Sequence, residues 1–231
     1  PNIEVRMFNP IAMRSLRMLG IAADFARINR RMHNKSFLAD GEVAIVGGRN
    51  VGNEYFGAGA AANFADLDVA VIGPVVGEVS GAFELYWTHR TAVPVRALSR
   101  QTATPAEIAV KRAGLTAHDT TAGRSEYADA VRDSEFARQF QDGAVTYFWG
   151  RATIVSDHPD KVLTSSAKTD THLAPKLREV VDKTERELFL VSPYFVPGKN
   201  GVALLAGVRR RGARVVVLTN SLASTDAVPV H

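Results

Sequence analysis

The sequence predicts an α/β layered fold, and three observations carry that prediction. Apolar stretches with the alternation of strands recur between stretches with helical spacing. An Asp40-Gly41 pair stands between two alternating apolar runs, as a tight hairpin requires. Near the end, helix, strand, helix and strand follow in order, with Gly212 as the helix stop before the last strand.

In chain order, residues 3–8 read as a strand, and Pro10 can open a helix at its first turn. Ile21, Phe25, Ile28 and Met32, spaced by 4, 3 and 4, form one apolar face of that helix. Strands are expected at 33–39, 42–47 and 64–72. A helix over 75–90 carries Val79, Phe83, Tyr86 and Trp87 towards a core. Residues 104–143 read as mostly helical and 145–155 as a strand. The polar, turn-rich stretch 156–172 reads as a linker, so a first unit spans 1–155 and a second begins at 173 and runs through 231. In it a helix (173–187), a strand (188–196), a helix (201–211) and a strand (214–219) are expected.

Composition narrows the function classes. The 231 residues suffice for one or two domains, and 46% hydrophobic with 23% charged residues is ordinary for a globular protein. A net charge of +4 leans towards an anionic partner: a phosphate ester, a lipid headgroup or a nucleic acid. The absence of cysteine excludes disulfides, thiolate catalysis and cysteine-ligated zinc. No apolar run reaches the roughly 18 residues of a membrane span; the most apolar stretch is broken by Pro74 and Glu78. There is no signal-peptide pattern. Residue 1 is proline and "PNIEVRMF" reads as a strand already under way, so the chain is expected to be a piece of something longer.

The chemistry concentrates in "RRMHNKSFLADGEVAIVGGRN". A two-residue turn at Asp40-Gly41 would pair Ala39 with Glu42, Phe37 with Ala44, Lys35 with Val46 and His33 with Gly48. His33 and Lys35 would then share one face, Gly48 would lie opposite His33, and Asn50 just beyond. An imidazole can be nucleophile or general acid, an ammonium neutralises a phosphoryl oxygen, and glycine leaves room for a substrate. Asp40 falls in the turn and reads as structural. A dinucleotide loop is excluded, because its pattern would need glycine where Arg49 stands. Taken singly, a strand histidine such as His33 is more often a structural residue than a catalyst, and Lys35 and Arg49 read as surface charges. Taken jointly they do not, since H-x-K-x4-D alone would arise by chance in roughly one such chain per hundred.

"HNKSFLAD" followed by "GGRN" resembles the H-x-K-x4-D-x6-G-G/S-x-N motif of the phospholipase D superfamily. "NEYFGA", "FADLDVAVIGPVV" and "FELYW" resemble the segments after the first motif in bacterial two-motif phospholipase D and cardiolipin synthase-like proteins, and "LFLVSPYFVPG" and "RRRGARVVVLTNSLASTD" the opening of their second half. The resemblance implies a layered α-β-α half-domain with a mixed sheet, here without its first strand, and the beginning of a second such half. It implies a phosphodiesterase or phosphatidyltransferase acting on phospholipids through a phosphohistidine, with no metal or other cofactor. His33 would be nucleophile or acid partner, Lys35 a phosphate clamp, and Gly48 and Asn50 phosphate contacts.

Asp66 stands where the family often has an aspartate bonded to the histidine's second ring nitrogen, although Asp66 and Asp68 also read as a solvated strand end. Arg27, Arg30 and Arg31 read as a solvated helix face or an attraction to an anionic surface, and Tyr194 as core or channel lining. The implied partners are a phospholipid, a membrane surface met peripherally, and a second motif-bearing half. That half would come in cis beyond His231 or in trans from a second copy, because no other histidine begins H-x-K-x4-D. The chain alone is therefore expected to be close to inactive, a missing acid or base typically costing about 10²–10⁴ in rate. Two rivals are a homodimeric single-motif nuclease of the same superfamily and a non-catalytic scaffold. The sequence has no dense Lys/Arg–aromatic track of the kind that binds nucleic acid.

Overall fold

The computed structural model describes residues 2–11, 31–56, 64–98, 103–122, 126–164 and 169–221. The predicted helix face at Ile21, Phe25 and Ile28, with Arg27 and Arg30, lies outside the described residues. The chain is α/β and divides into two compact units, Pro1–Ile154 and Val155–His231.

In the first unit a short strand, β1 (Arg6–Phe8), precedes a hairpin of β2 (Ser36–Ala39) and β3 (Val43–Gly47). β4 (Asp68–Ile72) joins β3 to complete an antiparallel sheet in the order β2-β3-β4. Helix α1 (Val75–Trp87) follows, and β5 (Ala92–Pro94) returns to pair antiparallel with β1. The sequence pattern did not reveal β5. It is three residues long and ends in a proline, which has no N–H for a ladder.

The turn takes the expected conformation. Asp40 and Gly41 both have positive φ (53° and 73°), and Glu42 N donates to Ala39 O at 3.0 Å. The register differs by one residue from the expected one. Ala39 pairs with Val43, Leu38 with Ala44, Phe37 with Ile45 and Ser36 with Val46, so Glu42 joins Asp40 and Gly41 in a three-residue connection. The core supplies the reason. Ala44 is fully buried, and Val76 and Val79 of α1 pack on it with Leu38, Val46, Val71 and Ile154 around them. The expected register would have set Lys35 beside Val46 on this face, burying an ammonium among valines. With Glu42 in the turn, Ser36 stands beside Val46 and Leu38 beside Ala44, and Lys35 faces the other way. Burying each valine contributes about 1.5–3 kcal/mol, enough to decide a register.

Of the residues expected to point from α1 into a core, Val79 is buried but Phe83 is 42% exposed and stacks on Trp87 at 5.6 Å. Tyr86 packs on Phe8 of β1 at 5.0 Å. The strand expected over 145–155 does not form. There the N–H of Ile154 and the hydroxyl of Thr153 donate to the Glu78 carboxylate, at 2.9 and 2.8 Å, rather than to a neighbouring strand. Those two bonds hold the Glu78 carboxyl below its usual range. The expected helical stretch comprises α2 (Val95–Leu98), α3 (Pro105–Ala122), α4 (Glu126–Arg132) and α5 (Glu135–Gln141), the first of them just ahead of it. A reciprocal cap opens α3: Thr104 N donates to Glu107 Oε2 at 2.7 Å and Glu107 N to Thr104 Oγ1 at 3.3 Å.

In the second unit, helix α6 (Leu173–Asp182) is followed by β6 (Glu187–Val191), helix α7 (Gly198–Arg210) and β7 (Arg214–Leu218). β6 and β7 pair in parallel, and α7 is the crossover such a pair requires. Gly212, at φ 93°, ends the turn after α7 where a side chain would be strained. Val208 and Ala213 are fully buried there.

Residues 156–172, polar by composition, carry specific contacts. Pro159 and Val162 are buried, and His158 N donates to Thr171 O at 2.8 Å. Asp157 accepts from Lys161 Nζ at 2.5 Å and from Leu173 N, the first residue of α6, at 2.6 Å. Burial alone would raise the Asp157 carboxyl. The bonds from Lys161 and Leu173, with the charges of Lys161 and His172, overturn this and hold it below the usual carboxylate value. Because the folded form favours the ionised carboxyl, its contribution is complete above about pH 4 and is lost as pH falls through the depressed value. Asp157→Ala should therefore cost roughly 1–2 kcal/mol near neutral pH, as removal of a helix cap does. Denaturant unfolding should show the gap between variant and parent closing in acid.

Candidate active site

The motif segment lies at the end of the three-stranded sheet away from the turn. His33 precedes β2 and is exposed, and its ring makes no hydrogen bond among the described residues. Lys35 is half-buried; its Nζ donates to His33 O at 2.7 Å, and its own carbonyl receives Gly47 N at 3.5 Å. The shifted register thus places Gly47 opposite Lys35, where Gly48 had been expected opposite His33. Asp40 sits in the turn at the far end of the hairpin, away from the other motif residues.

Why two glycines are needed is visible across the sheet. Gly47 pairs with Asp68, the first residue of β4. A Cβ at position 47 would stand 3.0 Å from Asp68 Cα and 2.8 Å from its Cγ, closer than side chains tolerate. A Cβ at position 48 would stand 3.0 Å from Asp66 Cγ. The Asp66 carboxylate therefore lies directly over Gly48, and the glycine pair is what lets the acidic segment come down onto the motif. Asp66 is exposed and makes no hydrogen bond to His33 in this structure. Asn50 is turned towards Tyr55, with its Nδ2 donating to the phenolic oxygen at 2.7 Å.

The side chain that binds these pieces together is Arg49, which by sequence alone reads as a surface charge. Arg49 Nε donates to Asp68 Oδ2 at 2.6 Å, its Nη1 donates to Tyr55 O, and its Nη2 reaches Asp66 O at 3.5 Å. Its guanidinium carbon lies 5.6 Å from the centre of the Phe56 ring. The bond to Asp68 raises the Arg49 pKa against the opposing effect of burial. Phe64 N donates to Glu54 O at 2.7 Å and the Tyr55 and Phe64 rings meet at 5.2 Å, closing the loop. The signal that could have revealed Arg49 was charge complementarity, an arginine in "GGRN" facing an "FADLD" strand start in the same sheet. Among the described residues no cluster of three or more His, Asp or Glu could hold a metal.

The geometry gathers an exposed imidazole, an ammonium, an acidic residue on a glycine and an Arg–Asp clamp into one end of a sheet. Its sequence supports a cardiolipin synthase-like protein of the phospholipase D superfamily. Within it the chain resembles cardiolipin synthases: it is 40% identical over 232 residues to cardiolipin synthase C of Escherichia coli (strain K12), covering 100% of this chain and 48% of that protein. An uncharacterized protein of Helicobacter pylori (strain J99 / ATCC 700824) is 34% identical over 241 residues, covering 100% of the chain and 45% of that protein. A cardiolipin synthase of Clostridium perfringens (strain 13 / Type A) is 23% identical over 172 residues, covering 74% of the chain and 28% of that protein. The chain thus spans about half the length of the first two of these relatives or less. No family model matches it, and no solved structure does.

Proposed function

We propose that this chain carries one half of the catalytic site of a phospholipid phosphatidyltransferase, with hydrolysis as the outcome when water replaces the acceptor alcohol. The observation that carries the reading is His33 and Lys35 at one sheet end with the Asp66 carboxylate lying over Gly48. The likeness to cardiolipin synthases supports it independently.

In this reading a ring nitrogen of His33 attacks phosphorus, the bond to the leaving alcohol breaks, and an acid from a second motif-bearing half protonates that alcohol. Water or another alcohol then breaks the phosphorus–nitrogen bond and gives up its proton to the second histidine. His33 can equally take the acid role, with the second histidine as nucleophile. Lys35 neutralises a phosphoryl oxygen, Gly48 and Asn50 line the phosphate position, and Asp66 orients the imidazole. The second half is supplied in cis or by a second copy. The protein meets the membrane at its surface; no described helix is long and apolar enough to cross one.

The test uses the protein as its organism makes it, with phosphatidylglycerol vesicles containing ethanol and, separately, single- and double-stranded DNA. The expected result is phosphatidylethanol together with some phosphatidic acid, and intact DNA. Cleaved DNA with untouched lipid would replace this reading by the nuclease one. No product from either would leave the scaffold.

A further inference from the structure

The β3–β4 ladder ends at the pair Gly47–Asp68, two residues short of Asp66. Between that pair and Phe64, which is bonded to Glu54, the acidic segment has little side-chain packing. Leu67 is 79% exposed, and the facing positions are glycines with no side chain to pack against. The position of the Asp66 carboxylate must therefore be set by polar cross-links, and the guanidinium of Arg49 supplies them. It binds the Asp68 carboxylate, the carbonyl of Tyr55 and the carbonyl of Asp66, and lies over Phe56.

We propose that Arg49, at the position the G-G-x-N pattern leaves open, is a positioning residue that sets where the Asp66 carboxylate stands relative to His33. The inference rests on the functional reading above, in which His33 and Asp66 act together. Arg49 touches no reacting atom. A planar fork with five donors can satisfy a carboxylate and two carbonyls at once, which a lysine ammonium cannot do in this arrangement. The ion pair is half-exposed, at 30% and 27% for the two side chains, so it contributes little to stability. Its consequence lies in geometry, where misplacing a group by an ångström can cost about 100-fold in rate.

The experiment measures transfer from phosphatidylglycerol to ethanol by the protein as its organism makes it, in Arg49→Met, Arg49→Lys, Asp68→Asn, Asp66→Asn and the Arg49→Met/Asp66→Asn double variant. Arg49→Met and Asp68→Asn should each lower kcat by about 10–100-fold with KM within twofold, and Arg49→Lys should recover only part of the loss. In the Asp66→Asn background, Arg49→Met should cost less than about twofold more. Asp68→Asn is nearly isosteric and keeps the test decisive if Arg49→Met fails to fold.

Multiplying effects of Arg49→Met and Asp66→Asn would overturn the proposal, as would unchanged kcat in Asp68→Asn. A fully active Asp66→Asn variant would overturn it too, while an inactive His33→Ala variant would show the functional reading still standing. An active His33→Ala variant would take both down.

Discussion

Replacing His33 by alanine should lower kcat for phosphatidyl transfer by about 10⁴-fold or more, with no acid-labile phospho-adduct recovered if His33 is the nucleophile. The loss should be purely chemical. His33 is exposed and its ring makes no hydrogen bond among the described residues, so removing the imidazole breaks no described hydrogen bond. Thermal unfolding should move by no more than a degree or two, as surface substitutions usually do. Binding of vesicles should also persist, since a single exposed ring contributes little to surface attraction. A variant retaining a tenth of the parent rate would exclude His33 from both roles assigned to it. A variant inactive but still forming the phospho-adduct would make His33 the acid and the second histidine the nucleophile.

How much of this site the sequence disclosed depends on which force fixed each part. Asp40-Gly41 was legible because a tight turn demands positive φ at both positions, a local requirement that these residue types satisfy. The register was not legible from the turn. It is decided by Leu38, Ala44 and Val46 of the hairpin meeting Val71 and, on α1, Val76 and Val79, all distant from the turn in sequence. Binary alternation could have been weighed against the turn, since Lys35 and Val46 are poor neighbours on a buried face. The consequence for the site is that Gly47, not a bulkier residue, stands opposite Lys35, and Asp68 stands beyond it.

The stretch 145–155 shows the opposite failure. Its valines and aromatics have high strand propensity, but that propensity expresses packing against neighbouring strands rather than a backbone preference. No described strand lies alongside it, Phe148 and Trp149 are 95% and 82% exposed, and Glu78 takes the N–H of Ile154. In the second unit the crossover α7 between β6 and β7 was legible because Gly212 and the apolar runs punctuate it plainly. Asp157 was not, because a carboxylate that caps a helix starting sixteen positions later leaves no local pattern.

Lys35→Met keeps the aliphatic stem of the side chain and removes only its charge and donors, and it should lower kcat/KM by about 10²–10³-fold, as loss of one preorganised donor to a developing oxyanion does. The structure argues that this effect is specific. One ammonium donor goes to His33 O at 2.7 Å, and two others remain for phosphoryl oxygens. The carbonyl bond by itself is worth about 0.5–1.5 kcal/mol, too little to account for so large a loss. Lys35→Arg should restore charge but not position, because a guanidinium is longer and planar and would carry its donors past the site that Gly47 leaves open. Partial recovery, well short of the parent, is the expected outcome. If Lys35→Met kept more than about a third of the activity, the phosphate charge would have to be met by another cation. Arg49 cannot supply it without surrendering Asp68, so such a result would place the phosphate away from this sheet end.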